Sequence, residues 1–185
     1  NKTNSSNLSG ILCCFVYNTS TQSGQINTVV EWMNSEMLHD FLYMRHKKPN
    51  GILQQFITPK GEYNTQMRAF WSKQMCLLER RVNNRKLCET RLDIYERAVT
   101  FEPPSFLSDS IAVHGTSLST RVDQVVTKMA KHFEKVSNGT MKLSRMLCNF
   151  KLDHKDRLWF LYASSCRLEN EKISHVVADQ QQTAS

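Results

Sequence analysis

Six cysteines (Cys13, Cys14, Cys76, Cys88, Cys148 and Cys166) and six histidines are the side chains from which a metal or thiol centre would have to be built. No Cys-x-x-Cys and no His-x-x-x-His pair occurs, and Cys76 and Cys88 stand twelve positions apart, His39 and His46 seven. Compact zinc sites use closer ligand pairs. Adjacent Cys13 and Cys14, on an extended segment, point to opposite faces, which suits joint ligation poorly. Nucleophilic catalysis needs a base and an orienting group beside the nucleophile. The stretch AVHGTSLS offers His114, Ser117 and Ser119, but the two serines already have a sufficient role as caps of the helix that follows. There is no Gly-x-Ser-x-Gly elbow and no glycine-rich phosphate loop, and the chain has only 6 glycines. The expectation is a chain that is not an enzyme, with no metal and no cofactor.

Basic runs are the strongest polar feature. Arg45, His46, Lys47 and Lys48 form one, and Arg80, Arg81, Arg85 and Lys86 the other. Both lie at the ends of predicted elements, where loops could bring them together. Arg45, Lys47, Lys48, Arg80, Arg81, Arg85 and Lys86 are therefore the candidate polyanion patch, with salt-sensitive, sequence-independent phosphate contacts. Tyr63, Phe70 and Trp71 are near enough in sequence to stack on bases. The competing expectation is a solvated strand edge, where Lys and Arg guard against aggregation and Glu79 precedes Arg80. The net charge of +7 suits nucleic acid, anionic lipid or acidic protein tails, and equally suits an ordinary soluble domain.

These residues need a scaffold, and the pattern gives one. Residues 11–17 (ILCCFVY) read as a strand. Val30, Met33, Met37, Phe41 and Met44 recur at three or four positions and predict a helix over much of 26–46, which Pro49 and Gly51 would end. GILQQFI and TQMRAFW flank the turn TPKGEYN and predict a hairpin. MCLLERRV reads as the next strand, residues 95–101 as a further one, and PPSFLSDS as a loop. The clearest element is an amphipathic helix over about 117–137, with Val122, Val125, Val126, Met129, Phe133 and Val136 on one face. Gly139 can supply the left-handed residue after its end. Two alternating segments then surround the polar turn Asp153–Asp156, and the second is apolar on both faces. A central or covered strand would read that way. The fold class is α+β: a mostly antiparallel sheet, the long helix packed on one face, and a helix near the N-terminus. Trp71, Trp159 and Leu161 exceed what such a scaffold covers, which makes them candidate partner-docking residues or the second layer of a larger core.

At 185 residues the chain suits one domain over 11–168, with a flexible segment at 1–10 and a polar tail at 169–185. It opens on Asn1 and not Met, as a fragment or processed form would. Five Asn-x-Ser/Thr sequons, at Asn1, Asn4, Asn7, Asn18 and Asn138, would suit secretion. Three crowd into the Asn- and Ser-rich start, where such matches are cheap, and the cysteines show no compact disulfide spacing. The expectation is an intracellular, reduced protein, with no run apolar enough to span a bilayer.

Three stretches carry a resemblance: PNGILQQFITPKGEYNTQMRAFWSKQMCLLERRVN, YERAVTFE and SRMLCNFKLDHKDRLWFLYASSCRL. Over about residues 49–168 they resemble a segment of large cilia- and flagella-associated proteins. The shared signatures are apolar and basic, so the resemblance carries over no site residues. It implies a scaffolding role in the cytoplasm or cilium, beside microtubules, whose acidic tubulin tails would suit a +7 surface. The expected function is a non-enzymatic protein-interaction module, with polyanion binding as the alternative.

Overall fold

The structure, a computed structural model, describes residues 9–20, 22, 24, 26–113 and 116–169. The expectations for residues 1–8 and 170–185, and for His114, lie outside the described residues. Strand β1 (Cys13–Ser20) pairs antiparallel with β2 (Ile26–Met33), in the register Cys13↔Met33 to Ser20↔Ile26. The helix expected over much of 26–46 therefore begins late. Ile26, Thr28, Val29 and Val30 are β-branched and stiff at χ1, and the ladder to β1 outweighs the chance helical spacing of Val30 and Met33. Helix α1 (Ser35–His39) starts where Asn34 Oδ1 accepts the Met37 N–H at 2.8 Å. A wider turn follows over Asp40–Met44, closed by the Arg45 N–H on Asp40 O at 3.0 Å.

The predicted hairpin does not form. Strand β3 (Gly51–Gln55) pairs with β1, giving a three-stranded antiparallel sheet ordered β2-β1-β3. Gly51 is less a helix stop than a close-approach residue. A Cβ at that position would lie 2.5 Å from Val16 O and 2.6 Å from the Phe15 ring.

Strands β4 (Tyr63–Ser72) and β5 (Cys76–Lys86) belong to a second sheet. The strand expected near Tyr95 is instead helix α2 (Ile94–Ala98), capped by Asp93 Oδ1 on the Tyr95 N–H at 2.7 Å. Buried Arg97 folds back onto the carbonyls of Leu92, Leu87 and Ser9, a set of bonds that an extended segment would forgo. The predicted loop after it contains strand β6 (Ser108–Ile111), paired with β5. Helix α3 (Thr116–Val136) is followed by β7 (Leu143–Leu152) and β8 (Leu158–Leu168), close to expectation. The five-stranded sheet runs β6-β5-β4-β7-β8, so β8 is an edge strand and not a central one. The α+β class holds.

Contacts divide the described residues into two units, the first of 9–68, 78–113 and 149–162, the second of 69–77, 116–148 and 163–169. In unit 1 the three-stranded sheet is covered on both faces. Cys14, Val16, Val30 and Trp32 join Leu87, Val99 and Tyr162 in one apolar cluster. Cys13, Phe15 and Met33 meet Phe41 in another, with the Phe15 and Phe41 rings 4.7 Å apart. Full burial of side chains of this size stabilises by roughly 1.5–3 kcal/mol each. Ser9 is buried as well, tied to Arg97 through its carbonyl.

In unit 2, α3 buries Val122, Val126 and Ala130, four residues apart, and Trp71 donates its indole N–H to Thr127 Oγ1 at 3.1 Å. Val136, expected on the apolar face, is exposed. Ser117 and Ser119 lie within the first turn and not at the cap, because the helix already starts at Thr116. Gly139, at φ 75°, closes the other end with its N–H on Glu134 O at 2.8 Å.

Candidate functional site

Both basic runs fall in unit 1, and side-chain partners absorb most of them. The Arg45 guanidinium makes a forked pair with Glu31 at 2.9 and 3.4 Å. Partial burial opposes ionisation of Glu31, but hydrogen bonds from Arg45 and Tyr17 outweigh it and hold the carboxyl below its usual range. Lys48 donates to Leu42 O at 3.1 Å and lies 5.2 Å from the centroid of the Phe41 ring. On β5, Arg81 pairs with Glu79 at 3.3 Å and Lys86 with Glu62 at 2.8 Å. Strand alternation also sends Arg80 and Lys86 to one face and Arg81 and Arg85 to the other. Among the described residues only Lys47, Arg80 and Arg85 of the seven have no acidic or ring partner.

The docking candidates also separate. Trp71 is 6% exposed, an internal residue held by Thr127. Leu161 packs against the larger apolar cluster of unit 1. Trp159 is 39% exposed, yet its indole N–H is committed to Asp153 Oδ2 at 3.0 Å and its ring lies 5.4 Å from the Arg157 guanidinium. Burial alone would raise the Asp153 pKa. Hydrogen bonds from Trp159, Arg157 and Lys155 reverse that and hold the carboxyl well below the usual range. The turn is an anchoring device, and Trp159 belongs to it.

The open apolar surface lies elsewhere. In unit 2, Phe70, Met75 and Leu77 are 45%, 54% and 56% exposed and border a groove of about 540 Å³, with Arg145, Leu147 and Ser165 on its far wall. Alternation explains how the sequence builds this. Trp71 and Cys76 lie beside Thr127 and Asp123 of α3, so their strand neighbours Phe70 and Leu77 take the opposite side. The same unit holds eight Lys and Arg against three Asp and Glu among its described residues, so most of the net charge sits there. Phe70 was expected only as a stacking neighbour, and Met75 and Leu77 only as part of a strand. Apolar strand residues give no sign of which face stays open.

A buried polar centre in unit 1 was also missed. Alternation puts Asn149 and Lys151 on the face of β7 opposite Cys148 and Phe150, and both are buried. Lys151 is 3% exposed, with Nζ 3.8 Å from the centroid of the Phe56 ring and no carboxylate at ion-pair distance among the described residues. Burial lowers its pKa from 10.5 to about 7, against opposing pulls from Cys14 and Glu102. Glu102 directs Oε2 to the N–H groups of Thr100 and Phe101 at 3.0 and 3.1 Å. Around it, Thr100 donates to Gln66, Gln66 and Arg68 to Asn149, and Asn149 to Tyr162 O. The cavity that Lys151 shares with Asn64, Gln66 and Cys14 is about 20 Å³, room for roughly one water molecule and for no larger substrate.

All six cysteines are free. Cys166 is exposed, whereas Cys148 is buried and its thiol is pushed up to about 12, chiefly by that burial. No group of three or more His, Cys, Asp or Glu among the described residues is placed to hold a metal ion. No described helix is long and apolar enough to cross a membrane. No protein-family pattern, curated protein or solved structure matches this chain.

Proposed function

We propose that the chain is a non-enzymatic protein-interaction module that docks its partner on unit 2. One observation carries this: Phe70, Met75 and Leu77 are three large apolar side chains about half exposed around one open groove. Exposed apolar clusters of this kind, rimmed by polar groups, mark interaction surfaces more often than isolated exposed residues do. The test places a photo-crosslinking residue at position 75 of the full chain. A partner captured there should be lost in Phe70→Asp and Leu77→Asp and kept in Arg80→Ala/Arg81→Ala. Capture that survives both aspartates sinks the proposal.

The likeness of residues 49–168 to cilia- and flagella-associated proteins adds a setting to the same proposal, a scaffold in a ciliary or cytoskeletal assembly. Tagged protein absent from the cilium and the microtubules of a ciliated cell would remove that setting and leave the docking surface standing. Polyanion binding is the second proposal, now favoured by the excess of Lys and Arg in unit 2 more than by the paired residues of unit 1. It predicts an affinity for nucleic acid or anionic lipid that falls steeply with salt, and a flat salt response ends it.

A further inference from the structure

We infer that residues 163–168 of β8 receive an extended, acidic segment of a partner protein, which adds to the five-stranded sheet as a further strand. The inference rests on the proposal that partners dock on unit 2.

Strand β8 ends the sheet, with β7 on its inner side. None of the turn and loop backbone hydrogen bonds among the described residues reaches it. Among the described residues nothing pairs with its outer side, which presents a row of backbone N–H and C=O groups, the feature that strand addition uses. Proteins usually blunt such edges with short strands, charges or proline. The opposite edge, β6, has four residues and carries Asp109. Strand β8 has eleven residues, no proline and one charged side chain, Arg167. Within 163–168 every residue but Ser164 is exposed, and the side chains of Ala163, Ser164, Ser165 and Cys166 put nothing bulky over the edge. Six residues span roughly 20 Å of edge, long enough to fix the register of a guest strand.

Two further observations choose the guest. Ser165 lines the groove of Phe70 and Leu77, so alternate side chains of an added strand can reach an apolar surface. Charge sets the rest. Lys73 is paired with Glu169 at 2.7 Å and Lys142 with Glu134 at 3.7 Å, whereas Arg145 and Arg167 have no acidic partner among the described residues. With eight cationic against three acidic side chains among the unit's described residues, the fitting guest alternates apolar and acidic residues.

The probe is a labelled ten-residue peptide of alternating valine and glutamate, added to the full chain and followed by fluorescence anisotropy and by amide exchange of residues 163–168. Two control peptides carry backbone N-methyl groups, one along each edge. The expected result is saturable binding that slows exchange across 163–168, vanishes with N-methylation of one edge only, and weakens about tenfold in Arg167→Glu, whose exposed site lets the chain fold normally. Binding that tolerates N-methylation on either edge, or that leaves exchange at 163–168 unchanged, overturns strand addition. If such binding is lost in Phe70→Asp, the groove still docks partners and only the strand mode has failed. Failure of the peptide to bind, with crosslinking at position 75 intact, likewise overturns strand addition alone. Concentration-dependent protection of 163–168 without peptide overturns it in favour of pairing between two copies.

Discussion

Replacing Lys151 with methionine should change how stability depends on pH, by an amount that follows from its surroundings. Its amine titrates at about 7 in the folded chain against an ordinary 10.5, chiefly because it is buried. Between those two values the unfolded chain binds more protons than the folded one, so stability must rise with pH through that window. From pH 6 to 8 the folded amine goes from nearly all charged to nearly all neutral, while the unfolded one stays charged. The difference averages about half a proton over those two pH units, which is worth roughly 1–2 kcal/mol, with a similar amount again from pH 8 to 9. The neighbouring titratable groups are Cys14, Glu102 and Tyr162, and all three remain in Lys151→Met. Methionine keeps the length of the side chain over the Phe56 ring and removes the charge. The variant should be more stable than wild type at pH 6, with the gap narrowing by roughly 1–2 kcal/mol at pH 8. Urea unfolding of both proteins at pH 6, 7, 8 and 9 reads this directly, because every group not coupled to Lys151 cancels in the difference. A gap that stays constant, or widens as pH rises, would refute the reasoning.

Asn83→Ala removes the bonds that Nδ2 donates to Glu96 O and Val99 O at 2.9 and 2.8 Å and the one that Oδ1 accepts from the Arg85 N–H at 2.6 Å. Chemical denaturation should show a loss of roughly 3 kcal/mol, since buried carbonyls are left unpaired. Gly51→Ala should cost roughly 1–3 kcal/mol through the clash with Val16 O, with faster amide exchange concentrated in β3, and an unchanged midpoint would disprove the close-approach role. Under native conditions iodoacetamide should modify exposed Cys88 well before buried Cys13, Cys14 and Cys148, as read by intact mass and peptide mapping. Equal labelling of Cys148 and Cys88 would contradict the burial that raises the Cys148 thiol to about 12.

What the sequence revealed follows a physical line. The periodicity of α3 and the alternation of β7 and β8 are long and strong, and local pattern suffices for such elements. Residues 26–46 misled because Val30 and Met33 satisfy helical spacing by accident, while the choice between ladder and helix depended on β1, a distant partner. The alliance of β3 with β1 instead of β4 is a long-range pairing of the same kind. The burial of Lys151 and Asn149 was not legible because polar alternation normally marks the wet face, and nothing local announces that a second sheet covers it. Of the site, the surplus of apolar surface was legible in kind. Its location was not, because whether Trp71 or Phe70 faces the helix is decided by packing.

The carbonyls between Leu92 and Phe106 have a consequence for how the chain folds. Arg97 bonds to Leu92 O, Asn83 to Glu96 O and Val99 O, Asn64 to Ala98 O, Ser108 to Thr100 O and Asn84 to Phe106 O. A segment whose path is specified largely by Asn64 of β4 and Asn83 and Asn84 of β5 has little reason to order before those strands exist. It should dock late and open as a single cooperative block, its amides exchanging together and not one by one. Such an opening would bare Val99 and Leu107 in one step, making this stretch the place where a destabilised chain first becomes sticky.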